Sequence, residues 1–145
     1  MNMISRTDEN DVSTAAELAA LLFSENADEL EDELRSVICG ENGVIFLALD
    51  DDTAIGFAQC QLRHDYVEGT HGSPVGYLEG IYISEEYRRC GYALELLRAC
   101  EQWAMEHGCT EFASDCELKN QTSYDFHMSV GFEEANRIIC FTKKL

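Results

Sequence analysis

Two arginines, a glycine and an alanine stand together at Arg88, Arg89, Gly91 and Ala93, within the stretch GYLEGIYISEEYRRCGYALELLRA. Guanidinium groups give charge-assisted, forked hydrogen bonds to phosphate oxygens. Gly91 lets a backbone come close to a ligand, and Ala93 leaves the first turn of a following helix uncluttered. If a helix starts here, its unpaired N–H groups and its dipole add to the attraction for an anion. Arg88 and Arg89 are the only adjacent basic pair before Lys143 and Lys144 in a chain of formal net charge −18. Cations placed against the charge of everything around them point to an anionic ligand. The spacing is neither a dinucleotide-binding G-x-G-x-x-G nor a P-loop, whose lysine is missing.

A second chemistry-bearing set is acidic. Glu79 and Asp115 each lie in an apolar run that reads as a strand. Period-two alternation predicts Tyr77, Glu79, Ile81 and Ile83 on one face of the first. On the second it puts Ala113 and Asp115 on one face, with Phe112 and Ser114 on the other. Carboxylates within apolar strands are costly unless partnered, and a bound ammonium is a suitable partner. A strand-end residue meeting water or a nearby arginine is the competing account of each.

The elements that must carry these residues follow from periodicity and punctuation. A strand is expected at residues 3–6, and helices at 11–23 and 29–39. Strands at 44–49 and 54–62 are joined through the turn signal Asp50-Asp51-Asp52. A loop over 64–75 holds Gly69, Gly72 and Pro74. Then come a strand at 76–83, a helix at 92–107 ended by Gly108, a strand at 111–116, a helix at 122–130 and a last strand at 138–143. This β-α-α-β-β-β-α-β-α-β order is a mixed α/β layer fold.

Composition agrees with one folded domain over residues 1–145, since 46% of the residues are hydrophobic despite the acidity. No run approaches the length of a membrane span and no signal peptide opens the chain. Seven scattered cysteines without C-x-x-C or metal-ligand spacing read as reduced thiols in the cytoplasm, most of them small buried hydrophobes, with no metal. Residues 1–69 hold 16 acids and 3 bases, and residues 70–145 hold 12 acids and 7 bases. Such a field repels nucleic acid and anionic membrane and attracts polycations. Solubility alone is the plainer account of it.

The strand followed by Arg88-x-x-Gly91-x-Ala93 resembles the acetyl-CoA signature of the acetyltransferase (GNAT) family, Q/R-x-x-G-x-G/A. About 30 residues on, Asn120-x-x-Ser123-x-x-Phe126-His127-x-x-x-Gly131-Phe132 resembles the later motif of that family, N-x-x-A-x-x-[apolar]-Y-x-x-x-G-F. His127 stands where the family usually has a tyrosine. The segments DYVEGTHGSPVGYLEGIYI, CTEFASD and FTKKL are further similar to type I aminoglycoside 6'-N-acetyltransferases. The resemblance implies a single-domain GNAT fold, a mixed sheet flanked by helices, with two central strands splayed to admit the acetyl-pantetheine arm. It implies acetyl transfer from acetyl-CoA to the 6'-amine of kanamycin-type antibiotics, by a cytoplasmic homodimer.

The same resemblance assigns roles. Ile81, Tyr82 and Ile83 would hold pantetheine through their backbone, an N–H near Ile81 serving as oxyanion donor. Arg88, Arg89, Cys90, Gly91, Tyr92 and Ala93 would hold the phosphates, with Asn120 and His127 also on the cofactor side. Glu79 would be the general base, acting through water, and His127 the general acid. Packing alone is an equal account of His127. Asp115 would bind the ammonium. Phe23, Tyr66 and Asn136 would complete the aminoglycoside site, although Phe23 and Tyr66 suit a core or anchoring role as well. An acetyltransferase for another polyamine or a protein amine is the close alternative, and an idle CoA-binding module the distant one.

Overall fold

The computed structural model describes residues 2–145. Strand β1 (Asn2–Arg6) leads through a 3-10 turn into helices α1 (Val12–Phe23) and α2 (Ala27–Cys39). Strands β2 (Gly43–Asp50), β3 (Thr53–Arg63) and β4 (Val75–Ile83) follow. Helix α3 (Tyr92–Glu106), the two-residue strand β5 (Phe112–Ala113) and helix α4 (Gln121–Ser129) complete the elements. The sheet order is β1-β2-β3-β4-β5, antiparallel except for the parallel β4–β5 pair. Among the described residues no helix is long and apolar enough to cross a membrane.

Each helix forms where local chemistry allows and packs where its apolar face directs it. The Asn26 side chain caps α2 by accepting from Asp28 N–H at 2.8 Å. Its Leu30, Leu34 and Val37, at i, i+4 and i+7, are buried. The acids between them stay on the solvent side. Helix α1 turns Ala15, Ala16 and Ala19 inward, so it sits close on the sheet. Together α1 and α2 cover one face, over Ile45, Leu47 and Phe57. Helix α3 covers the other with Leu96, Leu97, Cys100 and Trp103, against Val44, Ala58, Cys60 and Leu78. The Asp50-Asp51-Asp52 signal becomes a tight hairpin closed by the pair Asp50 and Thr53.

Four expectations need correction. The alternation along β4 is interrupted: Gln59 pairs with Gly80 and Cys60 with Leu78, which leaves Glu79 with no cross-strand partner. This bulge turns the strand over by one residue. Ile81 and Ile83 therefore belong to the α3 face, whereas Tyr77 and Glu79 face the α1–α2 side. The strand expected over 111–116 is only Phe112–Ala113. Its pairing ends at Tyr77 and Ala113, just before the bulge bends β4 away.

The last strand expected over 138–143 does not form. Ile138, Ile139 and Phe141 are 67%, 80% and 87% exposed, and no neighbouring strand in the described residues supplies a ladder for them. Finally, most cysteines are not buried. Cys60, Cys100 and Cys109 are, but Cys39, Cys90, Cys116 and Cys140 are exposed, all of them free thiols.

Candidate active site

The bulge at Glu79 aims a carboxylate into a cavity of about 270 Å³ at the end of α1. Its walls include Phe23 and Leu34, and the carboxylates of Glu25 and Glu33 share it with Glu79. Gly80 makes the approach of α1 possible, because a Cβ there would come within 3.0 Å of the Leu22 and Phe23 side chains. Glu79 is already partnered. Arg63, the last residue of β3, donates to Glu79 Oε1 from Nε at 3.1 Å and Nη2 at 2.5 Å, and to Oε2 from Nη2 at 3.1 Å. The guanidinium carbon lies 3.5 Å from the centroid of the Tyr77 ring.

The Tyr77 hydroxyl in turn donates to Asp115 Oδ2. Burial, reinforced by that hydrogen bond, pushes the Tyr77 phenol above its ordinary value, so it remains a donor. The two acids singled out in the sequence are thus joined through Arg63 and Tyr77 into one chain. Asp115 lies two residues beyond β5 rather than within it.

Beyond the bulge, β4 offers an open edge. Ser84 N–H donates to Ile55 O across to β3 at 2.8 Å. Backbone direction alternates along an antiparallel strand, so Tyr82 also points to β3 while Ile81 and Ile83 point to the side β5 has left. The Ile83 carbonyl accepts from Arg88 Nε at 2.8 Å, which ties the loop to the strand. The Arg88 guanidinium also lies 5.6 Å from the Tyr82 ring centroid.

Arg89 and Gly91 both have left-handed backbone, with φ 63° and 89°, on either side of Cys90. Gly91 is the N-cap of α3 and provides no side-chain hydrogen bond. Successive N–H groups in such a curve form a concave anion cradle. A Cβ on Gly91 would meet nothing, so its φ is the reason for glycine here. The Tyr92 ring and the Ile83 side chain are buried in the α3 core, so both can reach a ligand only through backbone. Cys90 is exposed and contacts the Arg88 carbonyl at 3.5 Å.

His127 is held on both sides. Nδ1 lies 2.6 Å from the Ser123 carbonyl, which requires the proton on Nδ1, and Nε2 lies 2.8 Å from Ser114 Oγ. The ring packs against Phe132 at 5.0 Å between centroids. Ser114 also reaches the Leu78 carbonyl, at 3.4 Å, across the opening between β4 and β5. Asn120 spends its side chain as the cap of α4, accepting from Ser123 N–H at 3.1 Å. Asn136 donates to Glu68 at 2.8 Å, and Tyr66 extends from the 64–74 loop at 76% exposure. That loop is pinned by Glu111, whose carboxylate accepts from His71 and Gly72 N–H. Among the described residues no cluster of His, Cys, Asp or Glu is fit to hold a metal ion.

Sequence reading missed Arg63, Tyr77 and Ser114. For Arg63 a signal existed: it is the one base between Arg35 and Arg88 in the acidic stretch, on the strand face of Gln59 and Gln61. The partners of Tyr77 and Ser114 depend on register and had no local signal.

Comparison with known proteins agrees with this geometry. The model of the acetyltransferase (GNAT) family matches residues 12–132. An aminoglycoside N(6')-acetyltransferase type 1 of Acinetobacter haemolyticus is 40% identical over 129 residues, covering 89% of each chain. The crystal structure of aminoglycoside antibiotic 6'-N-acetyltransferase AAC(6')-Ih from Acinetobacter baumannii superposes with TM-score 0.95 at 38% identity. The match covers 100% of this chain and 99% of that one. AAC(6')-Iy, in complex with the bisubstrate analog CoA-S-monomethyl-acetylneamine, gives TM-score 0.95 at 32% identity, over 100% and 99% of the two chains. An open β4 edge, an N–H cradle before α3 and a bulge-borne carboxylate, together with these matches, make the chain a member of the acetyltransferase (GNAT) family.

Proposed function

We propose that this single-domain chain is an aminoglycoside 6'-N-acetyltransferase, moving the acetyl group of acetyl-CoA to the 6'-amine of kanamycin-type antibiotics in one ternary complex and so conferring resistance. The observation that carries the reading is Glu79, set by a bulge into an acidic cavity beside the open edge of β4. A polycation is drawn there by net charge −18 and met in the cavity by Glu25, Glu33 and Glu79, with Asp115 joined to Glu79 through Tyr77 and Arg63.

In this mechanism the pyrophosphate rests on the N–H groups around Cys90, Gly91, Tyr92 and Ala93, with Arg88 and Arg89 adding charge. Pantetheine runs along Ile81–Ile83, and the outward Ile81 N–H donates to the thioester oxygen as negative charge develops there. Glu79 takes the proton from the 6'-ammonium through a water. Direct contact would work against it, because a carboxylate pressed on an ammonium raises the amine's pKa. Asp115 binds the neighbouring positive charge. His127, with Nδ1–H held by the Ser123 carbonyl, acts here in its doubly protonated form: Nε2 gives its proton to Ser114 Oγ as the Ser114 hydroxyl gives its own to the departing thiolate, which leaves the neutral ring. Phe23 packs on the sugar from the cavity wall; Tyr66 and Asn136 are not part of the cavity lining and would meet only a portion of the acceptor that extends beyond it.

The protein is further proposed to act in the cytoplasm, where its four exposed thiols stay reduced, and as a homodimer. Exposed Ile138, Ile139 and Phe141 support the second point. Sedimentation of wild type and of Ile139→Lys/Phe141→Lys should give a dimer and a monomer. The activity is tested by thiol release with kanamycin, tobramycin, amikacin and spermidine side by side. Release with the first three and not spermidine is expected. Release with spermidine alone would point to another polyamine as substrate, and silence with every amine would end the enzymatic reading.

A further inference from the structure

Glu79 is assigned the amine, yet its carboxylate is already engaged by a cation of the chain itself. The Arg63 fork places two nitrogens on one carboxylate and one of them on both oxygens. This is the strong, oriented form of an ion pair. The carboxylate is walled in, its side chain 18% exposed, while the arginine side chain is 44% exposed. The cation is therefore the partner with room to leave. Its stem rises from the end of β3, and the guanidinium lies over the Tyr77 ring, with Glu79 the one acid paired with it among the described residues. An ammonium that reaches Glu79 arrives at an occupied place, and two cations on one carboxylate repel each other.

We propose that Arg63 is an internal counter-ion which the ammonium of the acceptor replaces, so that acceptor binding at Glu79 is an exchange of one cation for another. The proposal rests on the acetyltransferase reading above. In the free protein Arg63 keeps a carboxylate within the sheet paired and oriented, relieving the cost of an unpartnered, largely covered charge. On binding, Arg63 swings outward and Glu79 is freed for the amine and its water. The exchange weakens acceptor binding, because part of the ion-pair energy is already present before the acceptor arrives. It also makes this step nearly insensitive to salt, since an ion pair is broken for each one made.

The test compares wild type, Arg63→Met and Arg63→Lys in steady-state kinetics and in calorimetric binding of kanamycin. Arg63→Met keeps the apolar stem over Tyr77 and removes the competitor. Kanamycin KM and Kd should fall about three- to tenfold, at or somewhat beyond the upper end for a partly exposed ion pair, while acetyl-CoA KM stays put. The dependence of kanamycin Kd on salt should become steeper. Arg63→Lys, which lacks the fork, should shift the same way by a smaller factor. A kanamycin KM and Kd that stay level or rise, with kcat lowered, would overturn the exchange and make Arg63 a fixed positioning residue. If Arg63→Met is poorly folded by its Tm, Arg63→Lys decides by the direction of its Kd. A wild-type protein silent towards every amine would instead refute the enzymatic reading, and calorimetry would still judge the exchange.

Discussion

Replacing Glu79 by glutamine separates what the carboxylate does for the fold from what it does for the reaction. Glutamine keeps the outline of the side chain and one acceptor oxygen for Arg63, but loses the negative charge and the ability to take a proton. The Arg63–Glu79 pair joins side chains 44% and 18% exposed. Discounted for solvent screening, its loss should cost no more than about 1 kcal/mol. For a chain of this size that is a fall of about 2–4 °C in Tm. The effect on turnover should be far larger: removal of a general base lowers kcat by about 10²–10⁴. That range corresponds to about 3–5 kcal/mol on the barrier. The assay is thiol release at saturating acetyl-CoA, with kcat and kanamycin KM measured across pH, beside a thermal melt. Glu79→Gln should melt close to wild type, lose most of kcat, and show a flattened acidic limb in its pH–rate profile. Asp115→Asn should act instead on kanamycin KM, because it weakens an ion pair present in ground state and transition state alike. If Glu79→Gln raises KM while kcat and the pH profile are intact, Glu79 is only a binder and another group deprotonates the amine.

Other consequences are equally open to measurement. Arg89→Ala, and more strongly Arg88→Ala with Arg89→Ala, should raise acetyl-CoA KM with little change in kanamycin KM. An unchanged acetyl-CoA affinity in the double variant would remove the phosphate role of the loop. Added salt should lower kcat/KM for kanamycin, because the acceptor charges outside the Arg63–Glu79 exchange still feel the −18 field, and a response flat in both wild type and Arg63→Met would leave the acidity with solubility alone. The Glu111 carboxyl is held below its ordinary value of 4.5 by the His71 and Gly72 N–H groups. Because the folded pKa is the lower one, its contribution is full above about pH 4.5 and is lost as pH falls through the folded value. Glu111→Ala should therefore lower Tm at pH 7, and the gap to wild type should close in acid.

What could be read from the chain divides along physical lines. Arg88 to Ala93 form a local structure, a turn and the start of one helix, so residue types and spacing suffice to place it. Asn120 and Ser123 have the spacing of a cap and its N–H, but the resemblance sets Asn120 on the cofactor side, and its use as the cap of α4 is a finding of the structure. Helices α1, α2 and α3 and the β2–β3 hairpin were legible because periodicity and turn residues act within a few positions. The acidic site was only half legible. That Glu79 and Asp115 belong together was inferred from type and resemblance, but their faces depend on a bulge, and a bulge is a relation between two strands. Shifting register by one residue moved Glu79 away from Ile81 and Ile83 and under Arg63, a partner 16 positions away in sequence. The tail fails for the complementary reason: Ile138, Ile139 and Phe141 carry strand propensity, yet a strand exists only with a ladder beside it. The site thus owes the half proposed for the cofactor to local chemistry and the half proposed for the acceptor to strand pairing. The bulge that frees the edge of β4 at Ile81 is the one that turns Glu79 into the cavity, so under the proposed function one irregularity in pairing would set acyl donor and acceptor side by side.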